Sequence, residues 1–289
     1  MHPTRHLERV LEYVDEWASA HAVEVGQVRI DGQTRRVADA VEAGACDLLV
    51  AVGGDGTTLA ALHAGAPESR PVLGVACGSI GVLTSVTADR VTSALDFFQG
   101  GGWTPMEVPG LDLTWGAGHS QLAINDVAVL RDGPGQALVS VTVDDVLYAR
   151  VAGDGVVVAT SLGSSAYTMA AGGPILAPGA EGMVVTALAT HAGSCPPLVT
   201  GADSQLILAI EPGYGGVRYE VDGRIVPLAA DDLTVSLRPA YATLVRLADE
   251  ESRLTGLRRR GLVLDSPRVL ARDARAAHVT PPPGILPSP

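Results

Sequence analysis

The stretch Val50-Ala51-Val52-Gly53-Gly54-Asp55-Gly56-Thr57-Thr58-Leu59 runs an apolar segment straight into two glycines, an acid, a third glycine and two hydroxyls. Residues 48–52 form a continuous apolar run flanked by Asp47 and Gly53. That is the pattern of a strand buried on both faces. Helical spacing resumes over 57–64, and 72–75 reads as a second buried strand. Strand, glycine turn, helix and strand predict a βαβ unit. Glycines let the backbone approach an anion closely, and the first turn of the new helix offers unpaired N–H groups to the same place. Asp55 would then stand at the C-terminal end of a parallel strand, where open α/β sheets bind ligands. There it can hold a metal ion or take a proton from an attacking hydroxyl. The same residues also suit a tight turn with Asp55 as a helix cap.

On the N-terminal side, Leu7, Val10, Leu11, Val14 and Trp17 have gaps of three and four, which predict an amphipathic helix over 5–20 with Thr4 as cap. A strand over 23–30 and a short helix over 35–43, ended by Gly44, are expected next. The texture changes after Gly100-Gly101-Gly102. Short β-rich runs at 122–130, 138–143, 156–160, 183–188, 205–210, 218–221, 233–237 and 241–247 are separated by Gly, Asp and Pro. A charged helix is expected over 250–260. The organisation predicted is an α/β domain over 1–105, with 248–270 packing back on it, and a β-rich domain over 106–247. A tail over 271–289, rich in Pro and Ala, is expected to lack fixed structure.

The chain has 289 residues and is 47% hydrophobic but only 4% aromatic, so its core must be built from Val, Leu, Ile and Ala. The formal net charge of −12 argues against nucleic acid and anionic membranes as partners. All 20 positive side chains are arginines. With no lysine there is no Walker-type lysine, no Schiff base and no lysine general base. Phosphate must therefore be held by backbone N–H groups, Arg, helix N-termini or a metal ion. Cys46, Cys77 and Cys195 have neither metal-ligand nor disulfide spacing. Met1-His2-Pro3-Thr4-Arg5 lacks an apolar signal region, and no apolar run approaches a membrane span. A reduced, cytoplasmic protein is expected.

Two further stretches carry chemistry. In Gly153-Asp154-Gly155-Val156-Val157-Val158-Ala159-Thr160-Ser161-Leu162-Gly163-Ser164-Ser165-Ala166-Tyr167, followed by Ala171-Gly172-Gly173-Pro174, a strand ends in small hydroxyl residues. Ser164, Ser165 and backbone N–H groups suit a ribose or phosphate, and Tyr167 suits stacking on a base. A Ser-rich helix start with Tyr167 in the core is the plainer alternative. Asn125-Asp126 interrupts the apolar run 122–130, and buried polar residues there need partners, which a ligand can supply; solvent-facing or bulge residues are the alternative.

In their order and approximate spacing, these three segments resemble the NAD kinase family over about residues 2 to 260. The resemblance implies an α/β domain plus a β-rich domain with the active site in the inter-domain cleft. It also implies transfer of a phosphoryl group from ATP or polyphosphate, with Mg²⁺, to the 2′-hydroxyl of NAD's adenosine ribose, giving NADP. Asp55 matches the family's catalytic acid, while Gly53, Gly54, Gly56 and Thr57 match the donor-phosphate turn. Asn125 and Asp126 match an NAD-binding pair. Asp154 matches a nicotinamide-side acid that reaches a neighbouring subunit, so a homodimer or homotetramer is implied. Ser164, Ser165, Ala166 and Tyr167 match the adenosine-side loop, and His191 and Asp222-Gly223 match the family's late His and Asp-Gly. No protein metal site, nucleic acid or membrane is implied.

Four places depart from the family pattern. The chain opens at His2-Pro3, just past the family's usual first strand. Ala76 and Val82 stand where the family has a polar Asn and an aromatic. Thr160-Ser161-Leu162 lacks a rigid proline, and Pro196 replaces an Arg. Ala76 and Val82 leave open a related kinase acting on another hydroxyl substrate. Either the start codon is misassigned or a sheet strand is missing, and the latter leaves open a nucleotide sensor without catalysis.

Overall fold

A computed structural model describes residues 7–30, 35–78, 80–247 and 252–278. The chain divides into two compact units, Met1–Glu250 and Glu251–Pro289. The first unit opens with α1 (Glu8–His21), β1 (Gln27–Val28), β2 (Ala40–Val41), β3 (Leu49–Gly53), α2 (Asp55–Gly65), β4 (Val72–Ala76), β5 (Val86–Thr87) and α3 (Val91–Gln99). As the glycine turn predicts, β3, α2 and β4 form a βαβ unit, with β3 and β4 parallel from Leu49↔Val72 to Gly53↔Ala76. On one face Leu62 of α2 packs with Leu49, Ala51 and Val72. On the other, Leu7, Val10 and Leu95 pack with Val52, Leu73 and Val75. Both faces are covered, which is why these strands read as unbroken apolar runs. Trp17 Nε1 donates to Asp96 at 2.6 Å, linking α1 to α3.

Residues 35–43 are not helical. Val37 donates its N–H to the Gln27 side chain, Gln27 donates to the Arg35 carbonyl, and Ala40 and Val41 pair in parallel with Gln27 and Val28. Pairing of these two segments outweighs a weak helical propensity, and it also shortens the strand expected over 23–30 to two residues. Helix α3 gave no separate signal in the sequence.

The chain continues through β6 (Thr104–Trp115), β7 (His119–Ala123), β8 (Asp126–Arg131), β9 (Ala137–Val143), β10 (Val146–Gly153), β11 (Gly155–Thr160), α4 (Tyr167–Ala170), β12 (Met183–Leu188), β13 (Leu198–Thr200), β14 (Gln205–Glu211), β15 (Val217–Val221), β16 (Arg224–Val226) and β17 (Asp232–Arg246). A six-stranded sheet has the order β13-β12-β11-β8-β15-β16. Its inner face packs Val127, Val129, Val156, Val158, Met183 and Tyr219 against Leu111, Val141, Leu206, Leu208 and Leu233 of a nine-stranded sheet. A fully buried Leu contributes about 2–3 kcal/mol by leaving water, so this aliphatic core supports the fold with few aromatics.

The nine-stranded sheet runs from the β-rich half into the α/β half. β17 pairs antiparallel with β14 and β6 and, at Leu244↔Val72, parallel with β4. The two runs expected at 233–237 and 241–247 are therefore one long strand. Its partner β6 was hidden in the sequence by Pro105, Pro109 and Gly110; Pro109 sits where the register with β17 shifts, a place where a missing N–H is tolerated. The run 122–130 is also not one strand. It breaks at Ile124-Asn125 between β7 and β8.

The second unit contains α5 (Arg253–Arg259) and α6 (Pro267–His278). Ser252 caps α5 by accepting from the Thr255 N–H, and Arg258 pairs with Asp265 at 2.7 Å. The expectation of an unstructured tail from 271 is corrected as far as 278. Pro267 opens a helix of Arg, Leu and Ala, good helix formers, and Ser266 accepts from Val269 and Leu270. Residues 279–289 lie outside the described residues.

Candidate active site

Three loops are fastened to one apolar cluster in which Leu62, Leu83, Ile124 and Leu162 pack with Leu59 and Val82, and a fourth element joins them by hydrogen bonds. The first loop is the glycine turn. Gly54 precedes α2, and Thr57 and Thr58 donate their N–H groups to its carbonyl. A β-carbon on Gly54 or Gly56 would meet nothing within 4 Å, so the space above this helix start is open to a ligand. Gly53 is closed in, since a β-carbon there would strike Thr57. Asp55 is the first residue of α2 and is partly exposed at the C-terminal end of β3. Its carboxylate accepts the Val82 and Leu83 N–H groups, both at 2.8 Å. A carboxylate oxygen can accept more than one such bond.

The second loop holds Asn125 and Asp126. Asn125 is partly exposed, whereas Asp126 is only 5% exposed. Burial, then the negative charges of Asp222 and Glu220, push the Asp126 carboxyl up to about 7. The Tyr167 backbone N–H, bonded to that carboxylate, opposes them. The third loop, 160–167, rests on the second. Thr160 Oγ1 donates to the Ile124 carbonyl at 2.7 Å, and a β-carbon at Gly163 would overlap the Asn125 carbonyl. Only glycine lets the two backbones meet there.

Within this third loop the predicted residues separate. Ser165 is partly exposed, and Ala166 and Tyr167 are exposed. Burial first, and Glu220 second, hold the Tyr167 hydroxyl above its usual range, so it stays protonated and can donate. Ser164 is corrected to a structural role: it is fully buried, donates to the Ser161 carbonyl at 2.8 Å and accepts the Leu176 N–H at 2.9 Å.

The fourth element is the β15–β16 turn, where Asp222 and Gly223 both have positive φ. Asp222 is not a ligand-facing side chain. It is 5% exposed, and its oxygens accept the N–H groups of Ile124, Asn125 and Asp126 together with His63 Nε2 at 2.6 Å. It supports the Ile124–Asp126 loop from beneath. Asp154, at the bend between β10 and β11, pairs with Arg131 at 2.5 Å and is half-exposed. His191 is exposed and donates its N–H to the Ala152 carbonyl, one bend away from Asp154.

Sequence reasoning missed His63, Arg131, Arg218 and Glu220. Arg218 and Glu220 alternate with the buried Tyr219 and Val221 along β15 and pair at 2.9 Å on its outer face, where both act electrostatically on Tyr167. Their period-two spacing was the available signal. Nothing in the sequence ties His63 to Asp222.

The model of the ATP-NAD kinase N-terminal domain matches residues 5–101, and that of the ATP-NAD kinase C-terminal domain matches residues 124–246. The chain is 33% identical to an NAD kinase of Chlorobaculum tepidum over 69% of its own length and 71% of that protein. Its fold matches yeast NADH kinase, solved with NADH, with a TM-score of 0.71 and 21% identity over 86% of this chain and 82% of that one. It also matches an NAD kinase from Archaeoglobus fulgidus, solved with ATP, with a TM-score of 0.69 and 24% identity over 86% of this chain and 92% of that one.

Proposed function

The chain belongs to the NAD kinase family, and from that premise we propose that it transfers a phosphoryl group from ATP or polyphosphate to the 2′-hydroxyl of the adenosine ribose of NAD, giving NADP. One observation carries this reading. A partly exposed carboxylate, Asp55, begins a helix under open space and is fastened through the same apolar cluster to the Asn125-Asp126 loop.

The ribose 2′-oxygen attacks the γ-phosphorus, the new O–P bond forms as the bond to the bridging oxygen breaks, and the hydroxyl proton passes to Asp55. Such transfer is mostly positioning and charge stabilisation. The first N–H groups of α2 and the open backbone at Gly54 and Gly56 receive the donor phosphates. Among the described residues no three His, Cys, Asp or Glu side chains group to hold a metal. Mg²⁺, proposed to accompany the donor, would supply charge stabilisation at the transferring phosphate. Asn125 and Asp126 hold ribose hydroxyls, and Tyr167 lies against the adenine. Asp154, half-exposed, faces the nicotinamide side.

Assembly as a homodimer or homotetramer, and residence in the cytoplasm, belong to the same proposal. None of the three cysteines is in a disulfide, and no helix among the described residues is long and apolar enough to cross a membrane. The test is NADP formation by the purified chain with Mg²⁺, NAD or NADH, and ATP or polyphosphate in parallel. Absence of NADP with every pair would reject the reading.

A further inference from the structure

We propose that His63 is a positioning residue for phosphoryl transfer, joining the helix that carries Asp55 to the loop that holds the acceptor. The inference rests on the kinase reading above and extends it to a residue outside the recognised motifs.

Asp55 and Thr57 sit in the first turn of α2, and His63 follows on the same helix. A helix rises about 1.5 Å per residue, so His63 lies about 12 Å further along the axis than Asp55. α2 is therefore held at two points. At its start, Asp55 accepts from Val82 and Leu83. Two turns later, His63 Nε2 meets Asp222 Oδ2 at 2.6 Å. A carboxylate only accepts, so Nε2 carries the proton. The ring is set by the helix on one side and by Tyr241 on the other, with centroids 6.2 Å apart.

Asp222 passes this anchorage onward. Its Oδ1 takes the Asn125 N–H at 2.6 Å, with Ile124 and Asp126 at 3.1 and 3.2 Å. Its Oδ2 takes His63 and, at 3.0 Å, Ile124. Asp222 in turn donates its own N–H to the Asp126 carbonyl at 2.9 Å. His63, 33% exposed, covers an Asp222 side chain that is 5% exposed, and removing the imidazole leaves Oδ2 to the Ile124 N–H and to entering water. The acceptor loop would then lose its tie to the helix bearing the base. Displacement of reacting groups by about 1 Å costs on the order of a hundredfold in rate. The donor side, built on the glycine turn, does not pass through this link.

The test compares His63→Ala with His63→Gln, whose amide nitrogen replaces Nε2. Expected for His63→Ala is a kcat lower by about tenfold or more, a raised KM for NAD and a KM for ATP within about twofold of wild type. His63→Gln should recover kcat to within about threefold. Amide exchange at Ile124–Asp126 should quicken in His63→Ala and return in His63→Gln, with or without turnover. NADP formation by the wild type judges the kinase reading separately, because the exchange comparison decides the His63 link even if the wild type proves inactive. Wild-type-like kcat and exchange in His63→Ala, or a Gln variant as impaired as the Ala variant, would overturn the proposal. If the Ala variant fails to fold, His63→Gln decides alone: near wild-type kinetics support the link and a large loss rejects it.

Discussion

A β-carbon at Gly81 would overlap the carboxylate of Asp55. The loop following β4 therefore approaches the acid so closely that only hydrogen fits, and the next two amides, from Val82 and Leu83, hold it. Gly81→Ala is expected to push the carboxylate aside and lower kcat by about a hundredfold, with a smaller change in the KM for ATP. Steady-state kinetics with circular dichroism as a folding control decide this. A fully active Gly81→Ala enzyme would mean that Asp55 has latitude the structure does not show.

Asp55→Asn removes the base and leaves a side chain that still accepts one of the two N–H bonds. General-base catalysis contributes about 10²–10⁴ in rate, so NADP formation should fall by that order while calorimetric NAD binding persists. Loss of binding without loss of kcat would assign Asp55 to recognition alone.

Asp126 predicts a pH effect. An unperturbed Asp ionises near 4, whereas Asp126 does so at about 7 because burial disfavours its charge. Between these values the folded chain keeps a proton that the unfolded chain has released. The stability contributed by this group is complete below about pH 4 and is lost as pH rises through 7. Asp126→Asn, neutral throughout, should gain little over wild type at pH 4 and melt about 5 °C or more above it at pH 8. Parallel melting curves that do not diverge with pH would show that Asp126 ionises normally.

Asp222→Ala strips four donors of a buried acceptor. Leaving such groups unpaired costs about 1–3 kcal/mol each where water cannot reach. A melting temperature lower by about 5 °C or more is expected, with a raised KM for NAD, measured by calorimetry and kinetics. An unchanged KM for NAD would separate Asp222 from the acceptor loop.

The chemistry-bearing end of the fold was legible because glycine and Asp punctuate it sharply. Gly53-Gly54-Asp55 marks the strand-to-helix turn without ambiguity, and the full cover of β3 and β4 explains their apolar runs. What stayed hidden depends on partners distant in sequence. Residues 35–43 become extended only because Gln27 and Val28 pair with them. β6 is interrupted by prolines that matter less once β17 lies alongside. Ser164 was read as suiting a ribose or phosphate and Asp222 as a match to a family motif, since a motif reports a residue's presence and not its direction. Burial turns Ser164 into a brace between 161 and 176, and Asp222 into the support of three amides.

Because β17 is edged by β6 along its length, by β14 over one end and by β4 at the other, neither lobe owns it. A polypeptide severed near residue 105 would leave the N-terminal fragment with a bare sheet margin and the C-terminal fragment with an unsheltered protruding ribbon. Each piece is expected to aggregate when produced by itself and to recover structure only on co-expression. Exchange of a single lobe with a relative would have to carry its length of this shared girder along.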